Sequence, residues 1–192
     1  MIVDELYDLQ ESSGYSFEGS WTSDLVFSKL WLIKELARIQ PNISTMYVLG
    51  AWYGNLAVLI DRQDQLTVDH IVNVETDREF LKTSQGLMRK LGIDNVEFML
   101  KDANDLDYRQ VDADSAVVNT SLTDMPGRNW FEQIPPGTLV AMQARDHDPG
   151  QSYSSVDQIA RRFPLSKTFY RGELSLEDPE TPYTRYMPIG RR

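Results

Sequence analysis

The chain has no cysteine among its 192 residues. That excludes disulfides, zinc–thiolate centres and thiol nucleophiles, and removes cysteine usage as a guide to compartment. Histidine occurs only as His70 and His147. Positive charge is scarce too: 19 Lys and Arg stand against 29 Asp and Glu, a formal net charge of −10. Such a balance argues against broad nucleic-acid binding, which needs a basic face. A small molecule, most easily a cationic one, is the expected partner, and nucleic acid is not. No run approaches about 18 uninterrupted apolar residues, so no membrane span is expected. The acidic start MIVDELYDLQ lacks the basic and apolar regions of a signal peptide, which makes the cytoplasm the expected location.

What is present is ordinary for a globular protein: 41% hydrophobic and 25% charged residues. The length suits one domain over 1–192 with a real core. Residues 1–44 read as a loop and a helix, a candidate lid that includes Tyr15, Phe17 and Trp21; residues 45–192 read as the sheet core. Helical spacing of Leu25, Lys29, Leu32 and Leu36 predicts a helix over 24–40, with candidate caps at 22–24. Strands are expected at STMYVLG, DHIVNVE, NVEFML, SAVVN and GTLVAMQA. Helices are expected after Gly54, with Asn55 a candidate cap, between Asp77 and Gly92, and near 154–162. SKTFYRGEL and TPYTRYMPI close the chain as an antiparallel hairpin. Alternating strands and helices predict an α/β fold with a parallel sheet and right-handed crossovers.

Such sheets bind ligands beyond the carboxyl ends of their strands, so the residues just after each strand carry the functional argument. In LGAWYGN, Gly50 and Gly54 flank the first strand-to-helix turn and can let backbone approach a ligand, with helix N–H groups as donors. A tight turn would use the same glycines. Glu75 ends the second strand, where a carboxylate can accept ribose hydroxyls or simply be solvated. Asp102 follows the third strand and can accept an adenine amino group, with the backbone N–H of Ala103 facing a ring nitrogen; an aspartate also starts turns. After the fourth strand, Asn119 can orient an acceptor amine or hydroxyl and Asp124 can serve as base, or both can satisfy local backbone. Arg145, Asp146, His147 and Asp148 cluster after the fifth strand, with His147 a candidate general base. No metal site is expected, since adjacent residues of an Asp-His-Asp run rarely converge on one ion.

Taken in order, the glycine turn, the strand-end acid, the KDA segment, the polar turn after strand four and the closing hairpin resemble the class I S-adenosylmethionine-dependent methyltransferase family. The resemblance spans roughly residues 45–190. It implies a Rossmann-like three-layer sandwich with a mostly parallel seven-stranded sheet and a C-terminal antiparallel hairpin. It also implies S-adenosylmethionine as cofactor, with Gly50, Trp52, Gly54 and Asn119 near the methionine part, Glu75 at the ribose, and Asp102 and Ala103 at the adenine. The implied activity is methyl transfer to a small-molecule acceptor, with Asn119, Asp124 and His147 on the acceptor side. Trp52 departs from the family pattern, occupying the middle of a loop that usually alternates glycines. Two alternatives follow from that departure: other chemistry on the same cofactor, or a binding protein without catalysis. The oligomeric state is left open, a homodimer being one option.

Overall fold

Strand β1 (Asn42–Leu49) explains the layering. Met46 and Val48 face one hydrophobic cluster and Tyr47 and Leu49 the other, all of them buried. A strand apolar on both faces needs cover on both sides of its sheet. The computed structural model describes residues 19–125, 127–146, 153–177 and 181–192. On one face lie α1 (Ser23–Ile39), α2 (Asn55–Asp61) and α3 (Arg78–Leu91), which contribute Leu32, Leu36, Leu56, Leu59 and Leu87. The other face is covered by two short 3-10 turns, α4 (Asn129–Gln133) and α5 (Val156–Arg162), whose Trp130, Phe131 and Ile159 pack around Phe163. The Trp130, Phe131 and Phe163 rings meet at centroid distances of 5.4–5.8 Å.

The sheet is Rossmann-like. Besides β1 it contains β2 (Thr67–Glu75), β3 (Val96–Leu100), β4 (Ala116–Asn119), β5 (Leu139–Met142), β6 (Ala144–Arg145), β7 (Lys167–Glu177) and β8 (Pro182–Arg191). Its order is β3-β2-β1-β4-β5-β8-β6, with β7 on β8. The β1–β5 pairings are parallel; β8 runs antiparallel to β5, β6 and β7, which is the expected closing hairpin. Strand order reverses between β1 and β4, which puts the ligand crevice above that pair.

Several boundaries differ from expectation. Among the described residues the sheet has eight strands instead of seven, because Gln143 interrupts the expected GTLVAMQA strand and leaves the two-residue β6 beyond it. β1 starts at Asn42, inside the segment assigned to the lid. Gly54, in a left-handed conformation, is the N-cap of α2, and Asn55 is its first helical residue. Asp77 caps α3 through Glu79 and Phe80 N–H groups, and Gly92 closes it at φ 71°, both as expected. The helix α4 had no periodic signal, having five residues. Among the described residues no helix is long and apolar enough to cross a membrane.

Candidate active site

The sheet order lays out the site like a ruler. A cavity of about 640 Å³ runs along the carboxyl ends of the strands, within the range of small-molecule sites, roughly 300–1,000 Å³. Its wall follows strand order. Lys101, Asp102, Ala103 and Asn104 come from the end of β3, and Glu75 and Thr76 from β2. Gly50, Ala51, Trp52 and Asn55 come from the β1 turn, and Thr120, Ser121, Thr123, Asp124 and Met125 from the β4 turn. Arg145 on β6, Arg185 on β8, and Leu25 and Lys29 on α1 close the far end.

Glu75 is held in place by the backbone around it. Its Oε1 accepts from the N–H groups of Thr76 (2.8 Å) and Asp77 (3.1 Å) and from the Thr76 hydroxyl (3.3 Å). Its Oε2 accepts from Trp52 N–H at 2.8 Å. A carboxylate oxygen carries two lone pairs, so Oε2 keeps capacity for a ligand hydroxyl. Within the glycine turn itself four backbone N–H groups are already engaged. Gly50 and Ala51 donate to the Val74 carbonyl, Gly54 donates to Ala51, and Trp52 is spent on Glu75. What the turn provides is closeness: a Cβ at Gly50 would lie 2.8 Å from Met125 Cε and 3.0 Å from Ser121 Cβ.

Trp52 adopts φ 53°, the only non-glycine with positive φ among the described residues. Its ring stacks near Tyr53 (5.1 Å) and Phe80 (6.0 Å), and Trp52 and Phe80 form an aromatic side of the cavity. Gly54 lies behind the wall: a Cβ there would meet Ser84 Oγ at 2.3 Å, so it serves the packing of α2 on α3. Asn119 is likewise behind the wall and fully buried. Its Oδ1 accepts from Ser121 N–H (2.9 Å) and its Nδ2 reaches Met125 Sδ (3.2 Å), which shapes the β4 turn. Asp102 is exposed on the wall, and one oxygen accepts from the backbone and side chain of Asn104 (2.8 and 2.9 Å). Ala103 is buried beside it, its carbonyl accepting from Tyr108. Asp124 is exposed at the rim. His147 and Asp148, like Tyr15 and Phe17, lie outside the described residues.

The α1 end holds groups the sequence reading had not singled out. Ser28 donates to Gln143 Oε1 (3.1 Å), and Gln143 Nε2 donates back to the Ser28 carbonyl (3.0 Å). That reciprocal pair docks α1 over the broken strand and turns the next residue, Lys29, to the cavity. Asp24 accepts from the Tyr183 hydroxyl, tying the start of α1 to β8. Burial, reinforced by the nearby Arg185 charge and only partly opposed by Asp24, pulls the Lys29 ammonium down to about 7. Burial pushes the Tyr183 phenol up to about 12. No local motif marks Lys29 or Arg185; one looked like a helix-face residue and the other like a hairpin residue.

Solved structures share this architecture. The N-methyltransferase NodS from Bradyrhizobium japonicum, in complex with S-adenosylhomocysteine, superposes with a TM-score of 0.67 at 8% identity, covering 98% of each chain. The fold is that of class I S-adenosylmethionine-dependent methyltransferases. An rRNA methylase from Streptococcus thermophilus matches this methyltransferase fold at a TM-score of 0.58 and 14% identity, over 89% of this chain and 98% of that one. TrmK of M. capricolum, bound to S-adenosylhomocysteine, matches at 0.61 and 11%, over 84% and 68%. No family model and no curated protein sequence matches the chain. The fold by itself does not set a nucleic-acid acceptor aside.

Proposed function

We propose that the chain is an S-adenosylmethionine-dependent methyltransferase acting on a small-molecule acceptor. The observation that carries this is Glu75: a strand-end carboxylate fixed by three backbone N–H groups, with capacity left on Oε2 at the cavity wall. The donor set fits the cofactor. Asp102 and Ala103 border the adenine position, Oε2 of Glu75 suits a ribose hydroxyl, and Gly50 and Trp52 line the space for the methionine chain. Asn55 is 3% exposed and its Oδ1 has no hydrogen-bond donor among the described residues, an open acceptor for an α-amino group. When bound, S-adenosylmethionine supplies an electrophilic methyl group on sulfur.

The protein's own contribution is alignment and exclusion of water. Trp52 and Phe80 present apolar rings along the cavity, and Asn119 is the positioning residue that sets the β4 turn beside Gly50. Asp124, exposed at the rim, would take a proton from the acceptor. Gly54 acts through the packing beneath the turn. The helix α1 covers the acceptor end, in keeping with a lid role for the N-terminal segment. The alternatives, other chemistry on the cofactor or a binding protein without catalysis, draw on Trp52 standing where glycine is usual.

Calorimetric titration with S-adenosylhomocysteine tests the reading. The wild-type protein should bind, and Glu75→Ala should weaken binding tenfold or more. Because Glu75→Ala also strands three N–H donors, at about 1–3 kcal/mol for each unsatisfied buried group, the variant's melting transition must be recorded alongside. A folded wild-type protein that binds neither S-adenosylmethionine nor its product would sink the proposal.

A further inference from the structure

The β8 end of the cavity gathers cationic side chains from three elements. Lys29, Arg145 and Arg185 line it, opposed on the wall by Asp124 at the rim. Behind them stands one buried carboxylate, Asp24, and it already accepts the Tyr183 hydroxyl. Arg185 is 7% exposed, and its Nε has no hydrogen-bond partner among the described residues. Its guanidinium also lies 5.8 Å from the Tyr183 ring centroid. A buried guanidinium N–H without an acceptor is costly unless a ligand supplies one, and a second cation alongside adds repulsion.

We infer that the acceptor is an anionic small molecule whose carboxylate or phosphate group is received by Arg185 and Lys29. The inference rests on the methyltransferase reading and names its substrate class. Whole-chain charge favoured a cationic partner; the cavity wall reverses that locally. Two sources could supply an oxyanion, the acceptor or the carboxylate of the donor's own methionine. Strand order separates them. Arg185 sits on β8, three strands from β1 in the order β1-β4-β5-β8. At about 4.8 Å per strand that is roughly 14 Å from the turn that carries the methionine chain. The arginine also lies deep. An isolated oxyanion can enter to meet it, whereas a phosphate inside a helical backbone cannot.

The lowered proton affinity of Lys29 fits the same arrangement. Its neighbours are Asp24 on its own helix, Arg185 on β8, Arg145 on β6 and Asp124 on the β4 turn, and burial dominates. An oxyanion between Lys29 and Arg185 would restore the ammonium.

The test uses the full chain, free and saturated with S-adenosylhomocysteine. Inorganic phosphate and benzoate are titrated at constant ionic strength while the melting temperature is followed, with benzylamine as the cationic control. Wild type should show a saturable rise with phosphate or benzoate and none with benzylamine. Arg185→Met and Lys29→Met should lose the rise, and Arg185→Lys should keep part of it. All variants should bind S-adenosylhomocysteine within about twofold of wild type. A tenfold loss of that affinity in Arg185→Met or Lys29→Met would overturn the inference, since the site would then belong to the donor. So would an anion response that survives Arg185→Met, or the lack of any saturable response in wild type. Should Arg185→Met fail to fold, Arg185→Lys and Lys29→Met decide between the same outcomes. Failure of wild type to bind S-adenosylhomocysteine, with the phosphate response of the free protein intact and dependent on Arg185, would overturn the methyltransferase reading and leave the anion site standing.

Discussion

Trp52 joins a backbone conformation that favours glycine to a side chain that lines the cavity. Left-handed backbone costs a residue with a Cβ roughly 1–2 kcal/mol, and the Trp52–Tyr53–Phe80 ring contacts offset it. Comparing two truncations separates these contributions. Both Trp52→Ala and Trp52→Gly lose the ring, but only glycine relieves the strain. Trp52→Gly should therefore be about 1 kcal/mol more stable than Trp52→Ala in urea denaturation. Equal stabilities would mean that the backbone there is not strained. The presence of a residue of this type at the turn was legible in the LGAWYGN segment; its positive φ was not, because glycine-like backbone at a tryptophan is set by what packs around the ring. Glu75 was legible for the opposite reason, as a strand-end acid needs only the strand boundary to place it. The placement of Gly54 behind the wall depends on Ser84 on α3, far along the chain, and that of Asn119 on how the β4 turn folds back to bring Met125 onto it.

At the scale of elements, α1 closes one end of the cavity. Its helical period was plain from Leu25 to Leu36, yet amphipathicity says only that a face is buried, not against what. Docking is made by polar ties: Ser28 with Gln143, Asp24 with Tyr183, and Trp31 Nε1 donating to Tyr170 at 3.0 Å. Gln143 is fully buried and supports both α1 and the β4 turn, its N–H donating to the Asn119 carbonyl at 2.8 Å. Gln143→Leu should destabilise the protein by about 1–3 kcal/mol, because the Ser28 hydroxyl and carbonyl lose their partners in a dry site. Ser28→Ala with Gln143→Leu should recover part of that loss, which a double-mutant cycle in urea would read. Additive costs would show that the pair does not act together. The same glutamine explains why one expected strand became two.

For the whole molecule, net charge and local charge part company. The acidic total predicted a partner of positive or no charge, while tertiary packing gathered Lys29, Arg145 and Arg185 from three separate elements. Lys29 gives this a measurable pH dependence. Its folded pKa lies near 7, below the ordinary 10.5, because burial and Arg185 disfavour the ammonium more than Asp24 supports it. Between those values the unfolded chain holds more protons than the folded one, so this group makes stability rise with pH across that window. Lys29→Met removes the contribution. The variant should melt above wild type at pH 7, and its advantage should shrink steadily toward pH 10. An advantage that stays constant would show that Lys29 titrates normally in the fold.

By itself the sequence determined the alternation of strands and helices, the closing hairpin, and the positions after strands at which a cofactor site would be built. These follow from short-range signals: apolar period, turn residues, and acids or glycines at strand ends. Tertiary structure alone decided the sheet order, the break at Gln143, and the cationic end of the cavity. Those depend on residues far apart in the chain, such as Lys29 and Arg185, whose meeting is set by which faces bury together and leaves no trace in local pattern.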